Sequence, residues 1–198
     1  MTITSVTKKV TRPRTKEVTI DLPANPFVFE VFDLVNKMKT EQKKVEVLQK
    51  YEHPSLKSLF IWNFDESVIT ILPPGQVPYS NLKSEQKFRG TLSDKVDNLI
   101  GTMNYNQTTS LGNASDLTEG HTTIRKEFKR FYNFIKGGND SLPALRKETM
   151  FIQMLEGLHP LEAEIICLVK DKKLQTKYKI TKEIVTQAYP DISWGGRS

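Results

Sequence analysis

Val28, Val31, Phe32, Val35 and Met38 recur at spacings of three and four, the stripe an amphipathic helix buries. Phe27 and Leu34 widen that stripe, and Asn25-Pro26 supplies an N-cap followed by a first-turn proline. A second helix is predicted from Thr40 to about Tyr51, with Val45, Leu48 and Tyr51 inward. His53-Pro54 opens a third, carrying Leu56, Leu59 and Phe60, with Trp62 and Phe64 near its end. Val68 to Leu72 has the apolar, β-branched character of one short strand, and Pro73-Pro74-Gly75 stops it.

Between Ser80 and Gly120 the pattern dissolves into Ser, Thr, Asn, Asp and Gly, with Leu99-Ile100 an apolar island. A connection of this length reads as a flexible excursion, with one short helix near Ser93 to Ile100. Periodicity then returns. Thr123 to Lys136 is predicted helical, with Ile124, Phe128, Phe131, Tyr132 and Ile135 on one side and Gly137-Gly138 as its stop. Ser141-Leu142-Pro143 starts a helix with Leu145, Phe151, Ile152 and Leu155 inward, ending at Gly157. His159-Pro160 starts another through Leu161, Ile165, Leu168 and Val169. Thr181 caps a last short helix, with Ile180 and Val185 at staple spacing and Pro190 as its end.

These elements predict a mainly α fold, a compact domain of about six to seven short helices with at most one short strand or hairpin. The expected organisation is a basic extended arm (1–24), an N-terminal helical part (25–79), the polar excursion (80–120), a C-terminal helical part (121–190) and a tail (191–198). Whether the two helical parts share a core is open at this level.

Composition sharpens the picture in a few places. Of 198 residues, 37% are hydrophobic and 26% charged, enough for a core with much of the chain solvated. No apolar run approaches the roughly 20 residues that span a bilayer, and no secretory pattern follows the N-terminal lysines. A soluble, cytoplasmic protein is expected, in which the triplets at Asn106 and Asn113 carry no sugar. A lone cysteine, Cys167, excludes an internal disulfide and a multi-thiolate metal site, and its apolar neighbours predict a buried, inert thiol. The net charge is +6, of which residues 1–17 supply +4 through Lys8, Lys9, Arg12, Arg14 and Lys16 against Glu17. Such an arm either attracts a polyanion or merely solubilises the chain.

Candidate chemistry is sparse. No nucleophile elbow, GxGxxG or Walker lysine motif is present, and the three histidines include two at predicted helix starts. Glu156, His159 and Glu162 come nearest to a metal motif, but Gly157 and Pro160 interrupt the helix it would need. The expectation is no metal, no cofactor and no catalytic residue, with Glu156, Glu162 and Glu164 forming a solvated turn near a helix N-terminus. Arg125, Lys126, Lys129 and Arg130, with Lys136, lie opposite the aromatic side of their helix and suit a phosphate backbone. An ordinary solvated face, common in any protein, is the commoner explanation, and the aromatic residues read as core before they read as base-stacking platforms. Lys170, Lys172, Lys173, Lys177 and Lys179 read as a solvated loop, in a weak approximation to a helix-turn-helix whose connection is too long.

A wider pattern runs through Phe131-Tyr132-x-Phe134-x-Lys136-Gly137-Gly138, Leu142-Pro143, Arg146-Lys147-Glu148-x-Met150-Phe151-Ile152 and Leu155-Glu156. It continues in His159-Pro160, Ala163-Glu164, Lys170-Asp171-Lys172-Lys173-Leu174 and Ala188-Tyr189-Pro190. In the first half, Phe32-Asp33-Leu34-Val35, Lys43 to Leu48 and Leu72-Pro73-Pro74-Gly75 belong to it. From about Phe29 to Tyr189 the chain resembles an uncharacterised family encoded by T4-like tailed phages, including cyanophages. The resemblance implies a phage origin and life inside a bacterium, and assigns no catalytic residue; the arm and part of the excursion look like additions to it.

The function expected is non-enzymatic binding of nucleic acid or a nucleoprotein complex in the infected cell, through the arm and the basic helix face. Other phage or host proteins are further partners, and homo-oligomerisation is compatible with this. The alternative is a minor head or connector component of the virion, whose arm and loop order on assembly. A small hydrolase is a third class, requiring a carboxylate cluster that sequence does not display.

Overall fold

The computed structural model describes residues 21–75, 77–79, 90–91 and 121–196. The fold is mainly helical. Its α-helices are α1 (Val28–Lys37), α2 (Glu41–Lys50), α3 (Pro54–Phe64), α4 (Ile124–Glu127), α5 (Ala144–Gly157), α6 (Pro160–Lys170), α7 (Leu174–Lys177) and α8 (Lys182–Ala188). A 3-10 helix over Phe128–Phe134 continues directly from α4. The two-residue strands β1 (Pro78–Tyr79) and β2 (Gly90–Thr91) pair antiparallel, Pro78 opposite Thr91. The rest of the 1–24 arm before residue 21, the predicted helix near Ser93 and most of the excursion lie outside the described residues.

Helix starts follow local chemistry, with one displacement. Thr40 caps α2 by accepting from the Lys43 N–H. His53 and His159 cap α3 and α6, each Nδ1 accepting from the N–H two residues on. The first helix begins later than Asn25-Pro26 suggests. Phe27 is its N-cap, and the Glu30 carboxylate reaches back to the Phe27 N–H at 2.8 Å. That carboxylate satisfies a donor no side chain of Asn25 is bonded to, which is half of a capping box.

The two helical parts share one core. Val31, Phe32, Leu48, Leu56 and Phe60 from the first part and Leu155, Ile165, Tyr178 and Val185 from the second belong to one buried cluster. Phe32 stacks on Phe60 at 5.6 Å and meets the edge of Tyr178 at 5.3 Å. Helix α2 lies between α1 and α8, while α6 packs against α1, α3 and α5. The Tyr189 hydroxyl donates to the Leu48 carbonyl at 2.6 Å inside that core, linking the last helix to the second.

The predicted strand is a single bridge. Thr70 pairs with Ile135, flanked by Ile71 N–H to Phe134 O and Lys136 N–H to Ile69 O. Trp62 Nε1 donates to Thr70 Oγ1 at 2.8 Å, holding the segment over α3. The alternation leaves Ile69 and Ile71 46% and 38% exposed. Leu145, expected inward, is 75% exposed in the first turn of α5, where Met154 and Leu155 further along do the packing. No helix among the described residues is long and apolar enough to cross a membrane.

Candidate nucleic-acid interface

The segment 121–136 is held at its start by three parts of the chain. The His121 and Thr122 N–H groups donate to the Gly157 carbonyl at 2.8 and 3.0 Å. The Ile124 N–H, at the opening of α4, donates to Glu162 Oε2 at 2.9 Å. Arg125 Nε donates to the Pro26 carbonyl at 2.8 Å, tying α4 to the approach to α1.

Beyond Glu127 the helix tightens. An α-helix over the whole stretch was expected, and the 3-10 winding has a sequence reason. Phe128, Phe131 and Phe134 stand three apart, and a turn of three residues brings them onto one face. Phe131 and Phe134 are buried against Trp62, at 5.1 and 6.3 Å between ring centres, and Phe134 meets Phe151 edge-on at 5.1 Å. This phase turns Tyr132 outward, to 51% exposure, against the expectation that it packs. Spacing of aromatic residues by three was the available signal, and a 3.6-residue reading passes over it.

Two glycines then reverse the chain for different reasons. Gly137 has φ +76, which favours a residue without Cβ. At Gly138 a Cβ would overlap the Tyr132 carbonyl oxygen, so the backbone itself occupies the space.

The predicted basic residues separate into three groups. Lys8, Lys9, Arg12, Arg14 and Lys16 lie outside the described residues. Lys126, Lys129 and Lys136 are exposed on the same segment as Tyr132, and Arg130 is exposed but paired with Glu127 at 3.0 Å. Arg125 does not join that surface. It is half-buried, and burial lowers the pKa of its guanidinium, with the Glu162 charge opposing.

Glu162 itself corrects the solvated-turn reading. It is fully buried, and its two oxygens accept from the first N–H groups of two other helices, Val28 in α1 at 3.0 Å and Ile124 in α4 at 2.9 Å. Burial pushes its pKa up to about 7, although both N–H donors and Arg125 favour the ionised form. His159 is also buried, stacked on Phe29 at 4.9 Å, while Glu156, the other half of the Glu-x-x-His pattern, is half-buried in the last turn of α5. Among the described residues no three His, Cys, Asp or Glu side chains gather as a metal site would require. Cys167 is largely enclosed, and burial raises its pKa to about 12.

The second lysine run is only partly solvated, with Lys173 and Lys179 exposed. Lys170 is buried, its Nζ donating to the carbonyls of Pro73 and Gly75 at 2.7 and 3.3 Å and to Asp171 at 2.5 Å. Asp171 in turn accepts from the Gly75 N–H, so the pair holds the Pro-Pro-Gly turn beside a groove of about 470 Å³. Lys172 takes φ +55 at the end of α6 and donates from Nζ to the Asp65 carbonyl. Lys177 pairs with Glu164. As a reading helix α8 is unsuitable: α7 intervenes, and its outer face carries Glu183, Thr186 and Gln187, with Trp194 bonded to Thr186.

Comparison with known proteins adds membership but no activity. No curated protein and no solved structure matches the chain. Residues 31–99 and 98–176 match one family model, covering most of the described helices. The chain belongs to DUF6433, a family of unknown function.

Proposed function

We propose that this protein binds nucleic acid without catalysing a reaction on it, in a bacterium infected by a tailed phage. The phage setting rests on the family resemblance in its motifs. The observation that carries the binding reading is an exposed tyrosine on a segment that also exposes three lysines with no ion pair among the described residues. Tyr132 stands out from the 3-10 helix, and Lys126, Lys129 and Lys136 of the same segment are exposed. Lysines of this kind follow phosphates, and an exposed ring stacks on an unpaired base. The combination suits single-stranded rather than duplex nucleic acid, because only unpaired bases offer a face to the ring. The basic arm, through Lys8, Lys9, Arg12 and Arg14, adds charge to the same partner.

Fluorescence anisotropy with labelled single-stranded and duplex oligonucleotides tests this. Tyr132→Ala should weaken single-strand binding roughly tenfold, since stacking contributes about 1–3 kcal/mol per base. Neutralising the four arm residues should flatten the dependence on salt. Absence of binding to either oligonucleotide at low salt would remove the reading.

The alternative, a minor head or connector component of the virion, draws on Ile69, Ile71 and Leu145, apolar side chains left at the surface. Quantitative mass spectrometry of nuclease-treated particles separates the two. A fixed copy number per particle supports the virion reading, and abundance confined to the cytosol excludes it.

A further inference from the structure

The end of the molecule where α2 begins is a second cationic surface, assembled from segments that sequence keeps far apart. Lys44 Nζ donates to the Lys179 carbonyl at 2.6 Å, across 135 residues of sequence. The Lys179 N–H donates to Asn36 Oδ1 at 3.1 Å, across 143 residues. Asn36 Nδ2 approaches the Lys177 carbonyl at 3.5 Å. These bonds lay the 177–179 loop against the α1–α2 turn, so Lys37, Lys39, Lys44 and Lys179 share one end.

Charge at that end is not neutralised in the way it is elsewhere. Lys50 meets Asp21, Lys57 meets Glu52 and Asp191, Lys170 meets Asp171 and Arg130 meets Glu127. Among the described residues, no ion pair involves Lys37, Lys39, Lys44 or Lys179. Lys44 spends its hydrogen bond on a neutral carbonyl and keeps its full charge. The carboxylates nearby are Glu164, engaged by Lys177, Asp33, within the field of Lys37 and Lys177, Glu41, exposed at the start of α2, and Glu183, exposed in the first turn of α8. Holding four ammonium groups at one end costs electrostatic energy that a bound polyanion relieves.

We infer that the α1–α2 turn and the 177–179 loop form a docking surface for the sugar–phosphate backbone of nucleic acid. This rests on the nucleic-acid reading above and names a second contact region for it, built from charge alone. Among the described residues no exposed aromatic ring accompanies its four lysines, so it positions the strand, and Tyr132 engages a base.

The test uses the full chain and a labelled 30-nucleotide single strand. Lys37→Ala, Lys39→Ala and Lys179→Ala are combined, sparing Lys44 because its bond joins the two segments. Binding should weaken at least about tenfold at low salt, and the slope of log affinity against log salt should fall by about 2 for three lost phosphate contacts. Lys173→Ala, an exposed lysine elsewhere, is the control and should change the slope by less than one such contact. Acetylation footprinting of the unaltered protein gives a second readout. The oligonucleotide should protect Lys39 and Lys179 and leave Lys173 reactive. Unaltered affinity and slope in the triple variant, or no protection, would overturn the surface while leaving Tyr132 to its own test. No binding by the unaltered protein would overturn both.

Discussion

Residues 126–136 and residues 170–173 carry similar runs of positive charge, and the fold puts them to opposite uses. In the first, Lys126, Lys129 and Lys136 stand in water on the segment that also exposes Tyr132. In the second, Lys170 is buried on the carbonyls of a Pro-Pro-Gly turn and Lys172 reaches the Asp65 carbonyl. Arg125 belongs to the first run by position and to the second by use, since its guanidinium is spent on Pro26 beside Glu162. Charge in a sequence is therefore a poor guide to charge on a surface. What separates the runs is whether a neighbouring segment presents backbone carbonyls within reach of the ammonium groups.

The largest expected effect concerns the carboxylate behind Arg125. Glu162 has its pKa raised from 4.5 to about 7, so the folded state binds the extra proton between those values. Its contribution to stability is therefore greatest below pH 4.5 and falls as pH rises to 7, by about 3 kcal/mol. Glu162→Gln should remove that fall from urea titrations across the same window. A pH dependence unchanged by the substitution would show that Glu162 is not its source.

Next in size is the buried lysine. Lys170→Met keeps the volume and removes the ammonium from two carbonyls and Asp171, at a cost of about 2–3 kcal/mol in urea unfolding. Arg125→Ala should cost less, about 1.5 kcal/mol, because the guanidinium is only half-buried. It should also raise the Glu162 pKa further, moving the pH-dependent loss to higher pH. If it weakened oligonucleotide binding while leaving stability untouched, Arg125 would rejoin the exposed run. The smallest stability effect belongs to Lys126→Ala, Lys129→Ala and Lys136→Ala together, within about 0.5 kcal/mol of the unaltered protein. The same triple should lower the salt slope for single-stranded DNA by about 2.

Much of the fold was legible because its signals are local. Proline at 54 and 160, Thr40 and the two capping histidines mark helix starts through bonds to residues two or three away. The stripe from Val28 to Val35 needs only a helical period to be recognised, and those residues are buried as it predicts. Tyr132 and Leu145 were misplaced for a local reason too. The first follows a three-residue winding, and the second precedes the part of α5 that reaches the core.

The candidate site was less legible. Lys126, Lys129 and Lys136 were recognisable as a group, but the tyrosine among them and the inward turn of Arg125 were not. The basic end at Lys39 and Lys179 has no signature, since its members meet only through Asn36 and Lys44.

By itself the sequence determined most helix starts, which stripes are apolar, and that the chain is mainly helical. Those properties come from interactions among residues up to about four apart, which any stretch of chain carries with it. Tertiary structure decided which charges face water. Glu162 is a core residue because the first N–H groups of α1 and α4, at sequence separations of 134 and 38, lack partners within their own helices. Desolvating a charge is tolerated only where such groups converge on it, and convergence belongs to the packed chain alone.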